Sequence, residues 1–212
     1  MKVHGFDISN YFNIVKQIVL ECDLPVEFVH KVPSRDEAFL AISPMGKVPA
    51  AETEFGLLSE TRAIVNYIGN SHPELPLFPK SAWDKARTEE LISIADLYIE
   101  SQARRLLAEV FFGGPRDDRA HKEVRGAMEK GLAAFERRAA LSPYLLGDTY
   151  SVVDIHAFYC FFLASQLMQA VYSWDIIAEV PGLTEWYELV NSKATTQQIL
   201  AEHNVARKAM LG

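Results

Sequence analysis

The chain has 212 residues, enough for one large domain or two small ones around a sizeable core. Its 49% apolar and 23% charged residues exclude long disorder, collagen-like repeats and coiled coil. With 21 basic against 28 acidic residues the formal charge is −7, which argues against nucleic acid as a partner while leaving room for a local basic pocket around a small anion. Cys22 and Cys160 lie far apart without paired spacing. That excludes a disulfide scaffold and a cysteine-type zinc site, and fits a reducing compartment. Met1 to Asp7 lacks the apolar stretch of a secretory signal, and Ile155 to Ala164 is about half the roughly 20 residues a membrane span needs. The expectation is a soluble, cytoplasmic protein.

In chain order, Lys2 to Phe6 reads as a short strand, and Ser9 or Asn10 as a helix N-cap. Val15, Ile18, Val19 and Cys22 then form one apolar stripe that Pro25 ends. Val26 to Val29 is a second strand, and Pro33 to Leu40 a short polar helix. After the loop Ser43 to Val48 comes a hairpin, Ala50 to Thr53 and Leu57 to Leu58, turning at Gly56. A helix over about Glu60 to Gly69 carries Ile64, Tyr67 and Ile68 on one face. The order βαβαββα predicts a small sheet flanked by helices over residues 1–75. Pro73, Pro76 and Pro79 make a stiff connection, with residues 76–83 as linker.

Residues 84–212 read as all-helical. Ile92, Ala95, Ile99, Ala103, Leu106 and Val110 step along one helix closed by Gly113-Gly114-Pro115. Val124, Met128, Leu132, Phe135 and Ala139 mark a second helix. Ser151 and Asp154 form a capping signal for a third, with Tyr150 and Ile155 at staple positions and an aromatic face of Phe158, Tyr159, Phe161 and Phe162. Pro181 is expected in the first turn of a fourth.

The six histidines show no H-x-x-x-H spacing, so no metal is expected. Neither G-x-S-x-G, G-x-G-x-x-G nor a P-loop is present. Cys22 and Cys160 read as packed core thiols. More informative is Ser43-Pro44-Met45-Gly46-Lys47-Val48-Pro49, where a cis Val48-Pro49 bond would turn the Val48 backbone outward to pair with an extended ligand. Ten residues on, Ser59-Glu60-Thr61 opens a helix. Thr61 and the N–H groups behind it suit a carboxylate, and Glu60 suits an ammonium. Plain N-capping is the competing reading.

Three segments together resemble the cytosolic glutathione S-transferases, of the serine-type, bacterial-like kind. Ser9-Asn10-Tyr11-Phe12 places Ser9 at the position of the active serine. Ser43 to Pro49 is similar to that family's N-P-x-G-x-V-P loop, with Ser43 in place of Asn. Leu58-Ser59-Glu60-Thr61-Arg62-Ala63-Ile64 is similar to its L-x-E-S-x-A-I segment. In the second half, Leu146-Gly147-Asp148 and Ser151 to Ile155 match the capping box and staple of its sixth helix.

The resemblance implies a thioredoxin-like N-terminal domain that binds glutathione, followed by an all-helical domain supplying the electrophile pocket, and a homodimer. It implies Ser9 as catalytic residue. Lys47 would meet the glycyl carboxylate, Val48 and cis Pro49 the cysteinyl part, and Glu60 and Thr61 the γ-glutamyl end. The electrophile is expected to be small and apolar, near Tyr11, Phe12, Tyr98 and Phe112. The bulkier segment after Ser9 leaves Asn10 or Tyr11 as competitors for the sulfur. A glutathione-dependent isomerase or peroxidase, or a non-catalytic interaction module on the same fold, is the alternative; the lack of a further domain or basic tail in the sequence weighs against the module.

Overall fold

The structure is a computed structural model that describes residues 1–211. Contacts divide the chain into two units, Met1–Phe78 with Lys193–Gly212, and Pro79–Ser192. The expected division, which ran the helical domain on to residue 212, differs at this end. The last helix belongs with the first unit because its polar side chains are spent there, as shown below.

In the first unit, β1 (Lys2–Gly5), α1 (Asn10–Glu21), β2 (Glu27–His30), α2 (Glu37–Leu40), β3 (Ala50–Thr53), β4 (Gly56–Ser59) and α3 (Thr61–Ser71) follow the expected order. The sheet runs β2-β1-β3-β4, with β1 parallel to β2 and antiparallel to β3, and β3 antiparallel to β4. Its core is the expected stripe of Val15, Ile18 and Val19 with Val3, Ile64 and Ile68, all buried. Three expectations are corrected. Cys22 is the half-exposed C-cap of α1 rather than a core thiol, with burial raising its pKa to about 11. The polar helix shrinks to Glu37–Leu40, because Asp36 supplies the N-cap by accepting from the Phe39 N–H at 2.8 Å. Phe12 is 3% exposed, stands edge-on to Phe28 at 5.7 Å and lies over Gly5, so it is core and not pocket lining.

The second unit is helical: α4 (Ala82–Ile94), a π-helical segment (Ala95–Glu100), α5 (Ser101–Arg104), α6 (Leu107–Phe112), α7 (Asp118–Glu136), α8 (Val152–Tyr172) and α9 (Leu183–Asn191). The single helix expected over Ile92 to Val110 is thus broken, although Ile92, Ala95, Ile99, Ala103 and Leu106 are all buried as expected. Every residue of α8 from Val152 to Phe161 is buried, the mark of a helix surrounded by others. Pro181 lies outside α9, whose N-cap is Gly182 at φ 81°. The chain closes with α10 (Ala194–Leu211), which the sequence reading did not mark. Among the described residues no helix is long and apolar enough to cross a membrane.

Candidate active site

Strand register brings the three motif segments of the first unit to one end of the sheet. His4 near the end of β1 pairs with Ala50 at the start of β3, and Ala50 pairs with Ser59 at the end of β4. The turn leading to Ser9, the Val48-Pro49 step and the Ser59-Glu60-Thr61 junction therefore share an edge.

Ser9 is the N-cap of α1. Its Oγ accepts the Phe12 N–H at 3.2 Å and its carbonyl accepts the Asn13 N–H at 2.9 Å. Accepting a hydrogen bond occupies a lone pair and leaves the hydroxyl proton to be donated elsewhere. The first turn of α1 carries no acidic side chain to oppose an anion at its N-terminus. Asn10 is buried and Tyr11 half-buried.

The Val48-Pro49 bond is cis. The Val48 side chain is buried, while no protein group among the described residues takes its backbone N–H or C=O. The loop before it is held by Ser43. This buried hydroxyl donates to the Lys47 carbonyl at 2.7 Å and accepts the Lys47 N–H at 3.2 Å. Ser43 thereby closes the loop from the position where the resembled motif has asparagine, and the Lys47 side chain is left exposed. Gly46 sits at φ +64°, where an added Cβ would lie 2.2 Å from the Ser34 carbonyl oxygen. Gly46→Ala is expected to destabilise the protein by about 1–3 kcal/mol and to weaken any ligand bound along Val48, since clash and left-handed strain both displace this loop. Urea unfolding, with a midpoint equal to that of the unsubstituted protein, would contradict it.

Plain N-capping does not describe the start of α3. The N-cap is Glu60, at φ 70° in the left-handed region that favours glycine, and no side chain caps the helix. An uncapped first turn and a strained, exposed carboxylate at the same corner present donors to an anion and an acceptor to a cation. Thr61 is buried there. A backbone N–H and C=O without a hydrogen-bond partner among the described residues, a helix N-terminus, an acidic group and a lysine together suit an extended zwitterionic peptide.

In the second unit, Tyr98 and Phe112 are exposed, at 52% and 57%. One cluster there has donors fit for a metal: Asp96, His156 and Cys160, whose ligand atoms lie within 4.8 Å of one another. Asp96 Oδ1 accepts from Cys160 Sγ at 3.4 Å and contacts His156 Nε2 at 2.8 Å. Burial, then the nearby Asp96 charge, pushes the Cys160 thiol well up, keeping it protonated. His156 Nδ1 is buried with no partner among the described residues, whereas a metal-bound imidazole ordinarily donates its other nitrogen to an outer group. The trio fits a hydrogen-bonded brace of the π-helical segment better than a metal site.

Family models for the glutathione S-transferase N-terminal and C-terminal domains match residues 3–76 and 118–189. A curated glutathione S-transferase of Pseudomonas putida is 33% identical over 211 residues, 100% of this chain and 96% of that protein. An elongation factor 1-gamma of Arabidopsis thaliana is 27% identical over 61% of this chain but only 31% of its own length. Among solved structures, glutathione transferase F2 of Populus trichocarpa superimposes with a TM-score of 0.82 at 19% identity, covering 96% of this chain and 99% of that one, a likeness of fold. A thioredoxin-like unit joined to a helical one defines the class. The chain belongs to the glutathione S-transferase family, and it is a glutathione S-transferase.

Proposed function

We propose that the site at the sheet end of the first unit binds glutathione through Lys47, Val48, Pro49, Glu60 and Thr61, and that Ser9 activates its thiol. The observation that carries this is the Val48 backbone. Among the described residues its N–H and C=O have no protein partner beside a cis proline, and an extended cysteinyl residue would supply both. Glu60 would pair with the γ-glutamyl ammonium, Thr61 and the uncapped start of α3 with its carboxylate, and Lys47 with the glycyl carboxylate. The electrophile is proposed to be small and apolar, matched to the exposed aromatic rings Tyr98 and Phe112 of the second unit. Phe12 is left out of this set because it is core. The chain is proposed to work as a homodimer; a monomeric mass in sedimentation at micromolar concentration would contradict that.

Retention on immobilised glutathione followed by conjugation of a generic aryl halide tests the proposal. Absence of binding overturns it. Binding without turnover favours the interaction module, which the likeness to part of an elongation factor keeps in view. Within the site, Thr61→Ala removes a hydroxyl from the carboxylate. Because hydrogen bonds to charged groups contribute about 1.5–3 kcal/mol, glutathione affinity is expected to fall about ten-fold or more. Unliganded Tm should hardly move, since no side chain caps this helix. Calorimetric titration showing unchanged affinity with a lowered Tm would return Thr61 to a structural role.

A further inference from the structure

We infer that His203, on the last helix of the chain, is a positioning residue for Ser9, acting through the carbonyl of Asp7. The inference rests on the proposed role of Ser9 and goes beyond it to a residue far away in sequence.

Four residues, Phe6 to Ser9, join β1 to α1. Within them the Ser9 N–H is held by the Phe6 carbonyl at 2.9 Å. The Asp7 carbonyl faces two side-chain donors, Asn13 Nδ2 at 2.9 Å and His203 Nδ1 at 3.2 Å. A carbonyl only accepts, so Nδ1 is the nitrogen that carries the proton towards it. His203 is 7% exposed, and burial holds its pKa below the ordinary value against the opposing hydrogen bond to Asp7, so the ring stays neutral at pH 7. The carboxylate of Asp7 is gripped as well: Lys16 Nζ lies 2.7 Å from it and 2.5 Å from Glu202, the neighbour of His203. Two helical turns earlier, Thr196 Oγ1 accepts from Gln17 Nε2 at 2.9 Å, a buried bond that docks α10 on α1 without touching Asp7.

The two anchorages differ in what they fix. Gln17 to Thr196 joins helix to helix, whereas His203 reaches past α1 to the turn itself, two residues before the hydroxyl. A hydroxyl that stabilises a thiolate must be held within about 0.5 Å of its working position, and the turn is what holds it. Removing one of the two donors to Asp7 frees that turn to shift while leaving Val48, Glu60 and Thr61 in place.

The test compares four variants of the full chain by the thiol pKa of bound glutathione, followed by thiolate absorbance, and by kcat and KM for glutathione. The amide of Asn stands about where Nδ1 does, so His203→Asn keeps the donor, whereas His203→Gln displaces it and His203→Ala removes it. Thr196→Val loosens the helix alone. His203→Ala and His203→Gln are expected to raise the bound thiol pKa by about half to one unit and to lower kcat at pH 7 about 1.5- to three-fold, since a thiol near 6.5 is about three-quarters thiolate at pH 7 and falls to about half or a quarter on such shifts. KM for glutathione should stay within about two-fold, because the contacts that bind the peptide are untouched. His203→Asn should behave as the unsubstituted protein does, and Thr196→Val should lower Tm with the thiol pKa unmoved. Unchanged pKa in the Ala and Gln variants, or an equal shift in His203→Asn or Thr196→Val, overturns the inference. Ser9→Ala separates the two layers. If it leaves the thiol pKa alone, the Ser9 reading fails and this inference falls with it; if it shifts the pKa and the His203 variants do not, only the inference fails.

Discussion

Asp154→Ala is expected to cost about 3–5 kcal/mol of stability, because it strips a buried carboxylate from the buried donors that it serves. Asp154 is fully buried. One oxygen accepts the Leu145 N–H and the Trp186 indole N–H, both at 2.9 Å; the other accepts the Ser151 N–H at 2.9 Å and its hydroxyl at 3.3 Å. A single side chain therefore ties the turn before α8, the start of α8 and the middle of α9. Loss of the cap alone costs about 1 kcal/mol, and orphaned buried donors add about 1–3 kcal/mol each, less than additively. Asp154→Asn should cost less, since its amide oxygen still serves Leu145 and Trp186 while the nitrogen faces the Ser151 donors. Urea unfolding at pH 7 measures both, and a loss under about 1 kcal/mol in the alanine variant would contradict this account.

The Ser151–Asp154 pair was legible in the sequence as a capping signal, but the reach to Trp186 was not, since spacing along a chain does not show what meets across it. The same limit explains the rest. Period and punctuation marked all four strands within a residue or two and the αβ order of the first unit, because turns at Gly56 and Pro25 leave little choice. Pattern alone missed α10. Few of its residues are apolar and buried, Ile199 among them, and its hold on the first unit is polar: Thr196, Glu202 and His203. Pattern also ran one helix across the π-helical segment, because the buried positions keep their spacing through it. At the candidate site, Val48, Glu60 and Thr61 stood out as motif residues, while the buried hydroxyl of Ser43 and the clamp on Asp7 depend on contacts that no short motif encodes.

Ser9→Ala is expected to lower conjugation at pH 7 about three- to twenty-five-fold, the loss of thiolate when a thiol pKa near 6.5 rises by about one to two units. A thiol of pKa about 8.5 is only a few per cent thiolate at neutral pH, and bringing it to about 6.5 takes roughly 2.7 kcal/mol of preferential stabilisation of the anion. One hydrogen bond donated to the thiolate contributes about 1.5–3 kcal/mol. The N-terminus of α1, which begins immediately after Ser9 and has no acidic residue in its first turn, adds about 0.3–1 kcal/mol. The sum reaches the size required without a histidine base or a metal. The same hydroxyl caps α1 by accepting the Phe12 N–H, so the variant also loses about 1 kcal/mol of stability. Stability therefore cannot separate the two roles, and the rate alone cannot separate activation from misplacement.

The pKa of the glutathione thiol bound to the protein separates them. Thiolate absorbance followed against pH, in the unsubstituted chain and in Ser9→Ala with both saturated in glutathione, should place the bound thiol near 6.5 in the first and about one to two units higher in the second. A bound thiol whose pKa is the same in both would remove Ser9 from the chemistry and pass the sulfur contact to Tyr11 or Asn10.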